Sequence, residues 1–256
     1  MFMAVKNAKK ILSLKHRKGR EAEGKFMIEG IRLAEEALES DAIVDQLVFD
    51  REAIRGDIRL QEMVSKAADM KIPIQQTDRR ALKHMGEYEN PEGVLGVVRT
   101  ADWDRDTVLK GEAPLLLLDQ LRDPNNLGLM QRTAEAAGAG GVFLSGGSVE
   151  LYNPKVVRAS RGSIFRMPTF RSVDLAILLG ELRDAGVQVL CADLEGTSYR
   201  EVVADSRLAF LMGNETFGVD SEIRALAQQS VTIPISTGVN SLNVAVAAGV
   251  LLFHFR

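Results

Sequence analysis

The chain has 256 residues, 46% of them apolar and 26% charged, with a formal net charge of −3. That length can bury a core in one large domain or two modest ones, and the balance is that of an ordinary globular protein. The single cysteine, Cys191, excludes a disulfide framework and any multi-cysteine metal site.

The net charge hides an asymmetry. Residues 1–20 hold seven basic groups (Lys6, Lys9, Lys10, Lys15, Arg17, Lys18, Arg20) and no acid, leaving 25 basic and 35 acidic groups elsewhere. A basic arm on an acidic body is either a contact for an anionic partner such as a phosphate backbone or a solvated tail. The first apolar stretch is short and broken by lysines, unlike a signal peptide. No run reaches the roughly 18 apolar residues of a membrane span. A cytoplasmic protein without a membrane partner is expected.

Beyond the arm, residues 24–100 read as a small α/β unit. Strands are predicted over 26–29, 44–49, 72–74 and 94–98, and helices over 31–39, 58–68 and 79–85. Ala101 to Ala113 mixes acids, Trp103 and Gly111 ahead of Pro114, and reads as a linker. From residue 114 to 256 strands and helices alternate. Strands are predicted over 115–118, 141–144, 187–191, 208–212 and 231–235. Helices are predicted over 127–137, 154–160, 174–185, 220–228 and 241–254. The all-apolar run Leu115-Leu116-Leu117-Leu118 is what the interior of a parallel sheet asks for. The fold class is therefore α/β, a mostly parallel sheet with helices on both faces and a smaller α/β unit before it. Cys191 lies in the run Val187 to Cys191 and reads as a buried strand residue.

Three segments place small or polar residues beside apolar runs, where packing alone would not. Asp123-Pro124-Asn125-Asn126-Leu127-Gly128 follows the strand 115–118, and loops beyond the carboxyl ends of parallel strands are where ligands bind. Asn125 or Asn126 can cap the helix that follows, and Arg132 on that helix could grip a phosphate or ribose oxygen. Gly213-Asn214-Glu215-Thr216-Phe217-Gly218 follows the strand 208–212, and its glycines would let backbone groups face a ligand. Ser241-Leu242-Asn243-Val244 opens the last helix, with Ser241 as its expected cap and Asn243 in its first turn. That helix is apolar nearly all round and must be buried in the core or against another subunit. Neither G-x-G-x-x-G, Walker A nor G-x-S-x-G sequences occur, and His16, His84 and His254 lack metal-ligand spacing. No metal is expected.

In order and spacing these segments resemble the three signature motifs of the SpoU (TrmH-like) branch of the SPOUT RNA methyltransferases. The stretch Leu151 to Ser163 is similar to the segment those proteins carry between motifs one and two. The resemblance implies a C-terminal trefoil knot, which ordinary connectivity rules would forbid. It implies methyl transfer from S-adenosylmethionine to a ribose 2′-hydroxyl of structured RNA by a homodimer. It makes backbone groups of Gly213, Ile233 and Leu242 the cofactor's contacts. Asn126, Arg132, Glu215, Ser241 and Asn243 take the places of the functional polar residues. Residues 24–100 are similar to an RNA substrate-binding domain with a ribosomal-protein-like fold, which favours ribosomal over transfer RNA.

Thr216 departs from the family's usual glycine, and threonine resists positive φ. A guanidinium stays protonated in proteins, so Arg132 is read as stabilising a developing alkoxide, with a phosphate or Glu215 helping proton removal. The rival reading is a catalytically silent RNA-binding or ribosome-assembly factor on the same scaffold.

Overall fold

The computed structural model describes residues 5–204 and 206–256. It divides into two compact units, one of residues up to 102 together with 152–166, the other of 103–151 together with 167–256.

The first unit opens with helices α1 (Ala8–Ser13) and α2 (Arg17–Glu23). Strand β1 (Lys25–Glu29), α3 (Ile31–Leu38), β2 (Val44–Asp50), α4 (Arg51–Gly56), α5 (Ile58–Asp69), β3 (Ile74–Thr77), α6 (Arg79–Met85) and β4 (Val94–Arg99) follow. The sheet order is β1-β4-β2-β3; only β2 and β3 run parallel. Of the stretch 1–23 read as a basic arm, residues 1–4 lie outside the described residues and the rest is mostly folded into these two helices. Ile11 and Leu14 are buried with Leu82, Met85 and Val97 in one cluster, so apolar residues at helical spacing fix an otherwise charged segment. Its cations are partly engaged: Lys10 pairs with Glu23 at 3.3 Å and Arg17 with Glu21 at 2.7 Å. Lys15 donates to the His84 carbonyl at 2.9 Å, and Arg20 is buried against the carbonyls of Leu14 and Lys15.

The second unit begins with α7 (Arg105–Lys110), a helix inside the stretch read as linker. Asp104 accepts from the N–H groups of Asp106 and Thr107 and nucleates it, a cap signal that the mixed composition obscured. Then come β5 (Leu115–Leu118), α8 (Pro124–Ala137) and β6 (Gly141–Ser145). The chain next enters the first unit with α9 (Pro154–Ser160) and a 3-10 turn, Ser163–Phe165. There Tyr152 stacks on Phe26 with ring centroids 4.5 Å apart, and its hydroxyl accepts from Ala101 N at 3.0 Å. The stretch 114–256 thus contributes to both units: α9, with Val156 and Val157 buried, falls in the first.

The second unit resumes with β7 (Thr169–Val173), α10 (Leu175–Asp184), β8 (Gln188–Ser198), β9 (Leu208–Met212), α11 (Ser221–Arg224), β10 (Gln229–Thr232) and α12 (Val244–His254). Its six strands lie in the order β10-β8-β9-β5-β6-β7, every neighbouring pair parallel. Successive strand residues face opposite sides. Leu115, Leu117, Val189, Cys191, Ala209 and Leu211 pack on Leu175, Leu178, Leu179 and Leu182 of α10. On the other face Phe210 lies 5.7 Å from Phe255, just after α12, which packs on α8. Gly249 permits that approach, since an added Cβ would sit 3.2 Å from Thr133 Cγ2. Burial pushes the Cys191 thiol up to about 12, so it packs as a small apolar group and has no nucleophilic role at neutral pH.

Several boundaries differ from the expected ones for local reasons. Strand β7 escapes the sequence reading, because Thr-Phe-Arg-Ser-Val lacks a continuous apolar run. Strand β10 stops before Pro234, which has no N–H for a ladder. α11 is far shorter than the predicted helix over 220–228, spanning only four residues. Among the described residues no helix is long and apolar enough to cross a membrane, and no group of His, Cys, Asp or Glu could hold a metal ion.

Candidate active site

The carboxyl ends of β5, β9 and β10 carry the three motif loops. Leu118 pairs with Met212, and Asp119 N donates to Met212 O at 2.8 Å, so the loops after β5 and β9 leave the sheet side by side. Asp119 is buried and joins them: its carboxylate accepts from Ser145 Oγ at 3.1 Å and from Asp220 N at 2.9 Å. The sequence reading missed Asp119, although an acid directly after four buried leucines was a readable signal.

The motif-one loop ends in a different cap from the one expected. Asp123, not Asn125 or Asn126, accepts from Asn125 N at 2.7 Å, and Pro124 takes the first helical position. A proline loses nothing there, because first-turn N–H groups have no intrahelical partner. Asn126 is thereby freed and buried inside the first turn of α8.

In motif two, Asn214 N donates to Gly218 O and Gly218 N to Asn214 O, both at 2.9 Å, closing a tight turn. The turn leaves no room at Gly213, where an added Cβ would lie 2.0 Å from the Gly218 carbonyl carbon. The Asn214 side chain accepts from Thr216 N and Phe217 N and donates to Gln120 O. Thr216 causes no strain, because the positive φ of this turn, +71°, falls at Gly218.

In motif three, Asn243 is the cap of α12, accepting from Ala245 N at 2.9 Å and Val246 N at 3.3 Å. Ser241 lies two residues before that cap, exposed on the loop. An asparagine amide fills the capping role as well as a hydroxyl.

Three predicted residues meet in one chain of hydrogen bonds. Asn243 Oδ1 is committed to the cap, so its Nδ2 points away and donates to Asn126 Oδ1 at 2.9 Å. Asn126 Nδ2 in turn donates to Glu215 Oε1 at 2.9 Å. Glu215 also accepts from Asp123 N at 3.1 Å and Arg122 N at 3.3 Å. Partial burial would raise the Glu215 pKa, but the bonds from Asn126 and the backbone N–H groups outweigh it and hold the carboxyl below the usual range. The carboxylate is thus ionised at neutral pH and its lone pairs are largely committed.

Arg132 is not brought into this network. It is exposed on α8, with no hydrogen bond or ion pair among the described residues. Six positions beyond Asn126, it falls on a different side of the helix.

Beside the network is a cavity of about 610 Å³. The motif-two loop, Ile233, Leu242 and Asn243 line it, together with Asp193 and Leu194 from β8. Asp193 is held by Arg224 at 2.6 Å. Strand β8 kinks outward between Cys191 and Thr197, where its pairing with β10 slips, and this carries residues 192–194 to the cavity wall.

The sequence profile described as "SpoU rRNA Methylase family" matches residues 113–253. The chain belongs to the SpoU rRNA methylase family. Residues 6–96 match the profile "MRM3-like substrate binding domain". This SpoU methylase is 34% identical to the 23S rRNA (guanosine(2553)-2′-O)-methyltransferase RlmP of Bacillus subtilis (strain 168), over 90% of the chain and 88% of that protein. It is 29% identical to the mitochondrial rRNA methyltransferase 3 of Xenopus laevis, over 97% of the chain and 73% of that protein. The crystal structure of an AdoMet-bound rRNA methyltransferase from Sinorhizobium meliloti superposes with a TM-score of 0.84 at 29% identity, covering 99% of this chain and 95% of that one.

Proposed function

We propose that this chain transfers a methyl group from S-adenosylmethionine to a ribose 2′-hydroxyl of ribosomal RNA. The observation that carries the reading is the Asn243–Asn126–Glu215 chain, which ties all three motif loops together beside a ligand-sized cavity. About 610 Å³ lies within the usual range for small-molecule sites. Apolar Ile233, Leu242 and Met212 suit a flat base, while Asn214, Asn240 and Asp193 offer polar partners. Asp193 and Glu215 outnumber Arg224 among the wall's charges, which favours a cationic ligand. When bound, the cofactor supplies an electrophilic methyl group on a sulfonium.

The residues of the chain do the remaining work by positioning. Gly213, Ile233 and Leu242 lie on loops whose backbone is available to a ligand; Ser241 lines the same wall. Glu215, with its acceptor sites committed, holds the motif-one loop in place and is a poor proton acceptor, so proton removal passes to a substrate phosphate or water. Arg132 is the one predicted catalytic cation, free of side-chain partners among the described residues, and its guanidinium can stabilise a developing 2′-alkoxide.

The assembly follows from α8 and α12. Leu129, Val246 and Phe253 are 40, 49 and 50% exposed, an apolar surface that a homodimer would cover. A second protomer would also give Arg132 the surroundings it lacks in one chain. The chain path through β8, β9 and α12 is read as the trefoil knot of this family, and the reaction as cytoplasmic, where the RNA is met. Residues 24–100 are read as the RNA substrate-binding domain.

The test is methyl transfer from labelled cofactor to ribosomal RNA transcripts, with ribose methylation mapped on the product. No transfer to any ribosomal RNA, and no cofactor binding by calorimetry with RNA present, would leave the silent binding factor as the better reading.

A further inference from the structure

The stretch 152–166 has no part in the site just described, yet it holds three cations that no acid pairs among the described residues. Asn153 caps α9 by accepting from Lys155 N at 2.9 Å, and Pro154 takes the first helical position. Val156, Val157 and Ser160 are buried, which turns Lys155, Arg158 and Arg161 to solvent at successive turns. None of the three has a side-chain hydrogen bond or ion pair among the described residues. Other arginines of the unit are paired, among them Arg166 with Glu36 at 2.9 Å and Arg59 with Glu35 at 2.6 Å. Three unpaired like charges on one short helix repel one another, so folding alone would not select them.

Two details fix how they are presented. Arg161 closes α9 at φ 52° and ψ 33°, a left-handed conformation that glycine takes freely and a longer residue takes at a cost. Arg158 lies over the ring of Tyr88, 4.6 Å from its centroid. Tyr88 is itself held: the half-buried Glu29 carboxylate accepts from Glu87 N at 2.9 Å and Tyr88 N at 3.2 Å. Gly86 makes room for that carboxylate, since an added Cβ would lie 1.5 Å from Glu29 Oε1. Burial raises the Tyr88 phenol, and Arg158 and Arg161 are both close enough to oppose the shift.

We propose that the solvent face of α9, made of Lys155, Arg158 and Arg161 with Tyr88 beside them, binds phosphates of the substrate RNA; this rests on reading the chain as an RNA methyltransferase. An acidic protein partner is the poorer fit, because protein interfaces have an apolar centre, and no large apolar residue of 152–166 is among the exposed ones. Nucleic-acid interfaces are polar and positively charged, as this face is. A guanidinium steadied on a ring presents its planar fork to a phosphate at smaller entropic cost.

The experiment uses the full chain with a ribosomal RNA transcript. In the variant Lys155→Gln, Arg158→Gln, Arg161→Gln, the plot of log affinity against log salt should flatten by about 0.7–0.9 for each phosphate no longer neutralised, about 2.1–2.7 if all three cations are engaged. KM for RNA should rise while kcat and cofactor affinity hold. The variant Arg158→Lys, Arg161→Lys keeps the charge and should keep most of the slope. Arg161→Gly gives a sharper result: relief of the left-handed strain should raise the melting midpoint while RNA affinity falls. An unchanged slope and KM in the triple variant would overturn the proposal. So would an Arg161→Gly chain that loses stability and RNA binding together, the mark of a structural residue. A wild-type chain that binds RNA with this slope but transfers no methyl group would remove the catalytic reading and leave the surface standing.

Discussion

Glu215 shows how a carboxylate beside an active site can be occupied with structure. Three donors converge on it, and its pKa is lowered because burial is outweighed by those bonds. A depressed carboxylate contributes stability that is present above the unfolded value and lost as pH falls through the folded one. Glu215→Gln should therefore lower the urea midpoint at pH 7, and the difference from wild type should shrink once pH falls below the usual 4.5 of a glutamate. The cost at pH 7 should be about 1 kcal/mol, that of one imperfect hydrogen bond discounted for solvent exposure. A difference that grows on acidification would mean the carboxylate is not ionised in the fold.

Arg132 is the opposite case, a side chain with no structural duty. Arg132→Ala should leave the melting midpoint and cofactor affinity unchanged and slow single-turnover methyl transfer by about 10²–10³, the scale of losing one oxyanion-stabilising donor. Arg132→Lys should recover little, since a point charge on a flexible stem does not reproduce a planar fork. A full single-turnover rate in Arg132→Ala would reduce it to a surface arginine.

At the scale of elements, the site depends on how two helices begin. α8 starts on Asp123-Pro124 and α12 on Asn243. Had Asn126 been a cap, its side chain would have been spent on backbone N–H groups. Capping by Asp123 releases it to link Asn243 to Glu215. Asn243 does two jobs, and they are separable. Asn243→Asp keeps a capping oxygen at a helix N-terminus, so stability should change by no more than about 0.5 kcal/mol. It lacks the amide donor to Asn126, so activity should fall at least tenfold. Asn243→Ala should lose both, with a cap cost of about 1 kcal/mol. Chemical denaturation and initial rates on the two variants check this; equal activity in the aspartate variant would show that the link is dispensable.

At the scale of the molecule, the open question is what covers α8 and α12. Only Ala245, Ala248, Leu251 and Leu252 of α12 are buried within one chain, although nearly all its residues are apolar. Phe253→Asp with Val246→Lys should convert a dimer to a monomer in light scattering at micromolar concentration. Methyl transfer should be lost with it while the fold is kept. A wild-type monomer at that concentration would remove the second subunit from the account.

The sequence by itself determined the α/β class, most element positions and the residues of the three motifs. These are local matters: period, turn chemistry and small polar residues beside apolar runs can be read within a few positions. Leu115 to Leu118 could only be an interior strand, and Asn126, Glu215 and Asn243 stood out against the apolar runs next to them. Only the tertiary structure decided that these three share one hydrogen-bonded chain, because bonds between residues 89 and 117 positions apart depend on strand order. It also decided that Arg132 stands outside that chain, that most of the basic arm is two packed helices, and that α9 belongs to the first unit. Burial of Ile11, Leu14, Val156 and Val157 settles these last two points. What an apolar side packs against is set by partners distant in sequence, and periodicity does not name them.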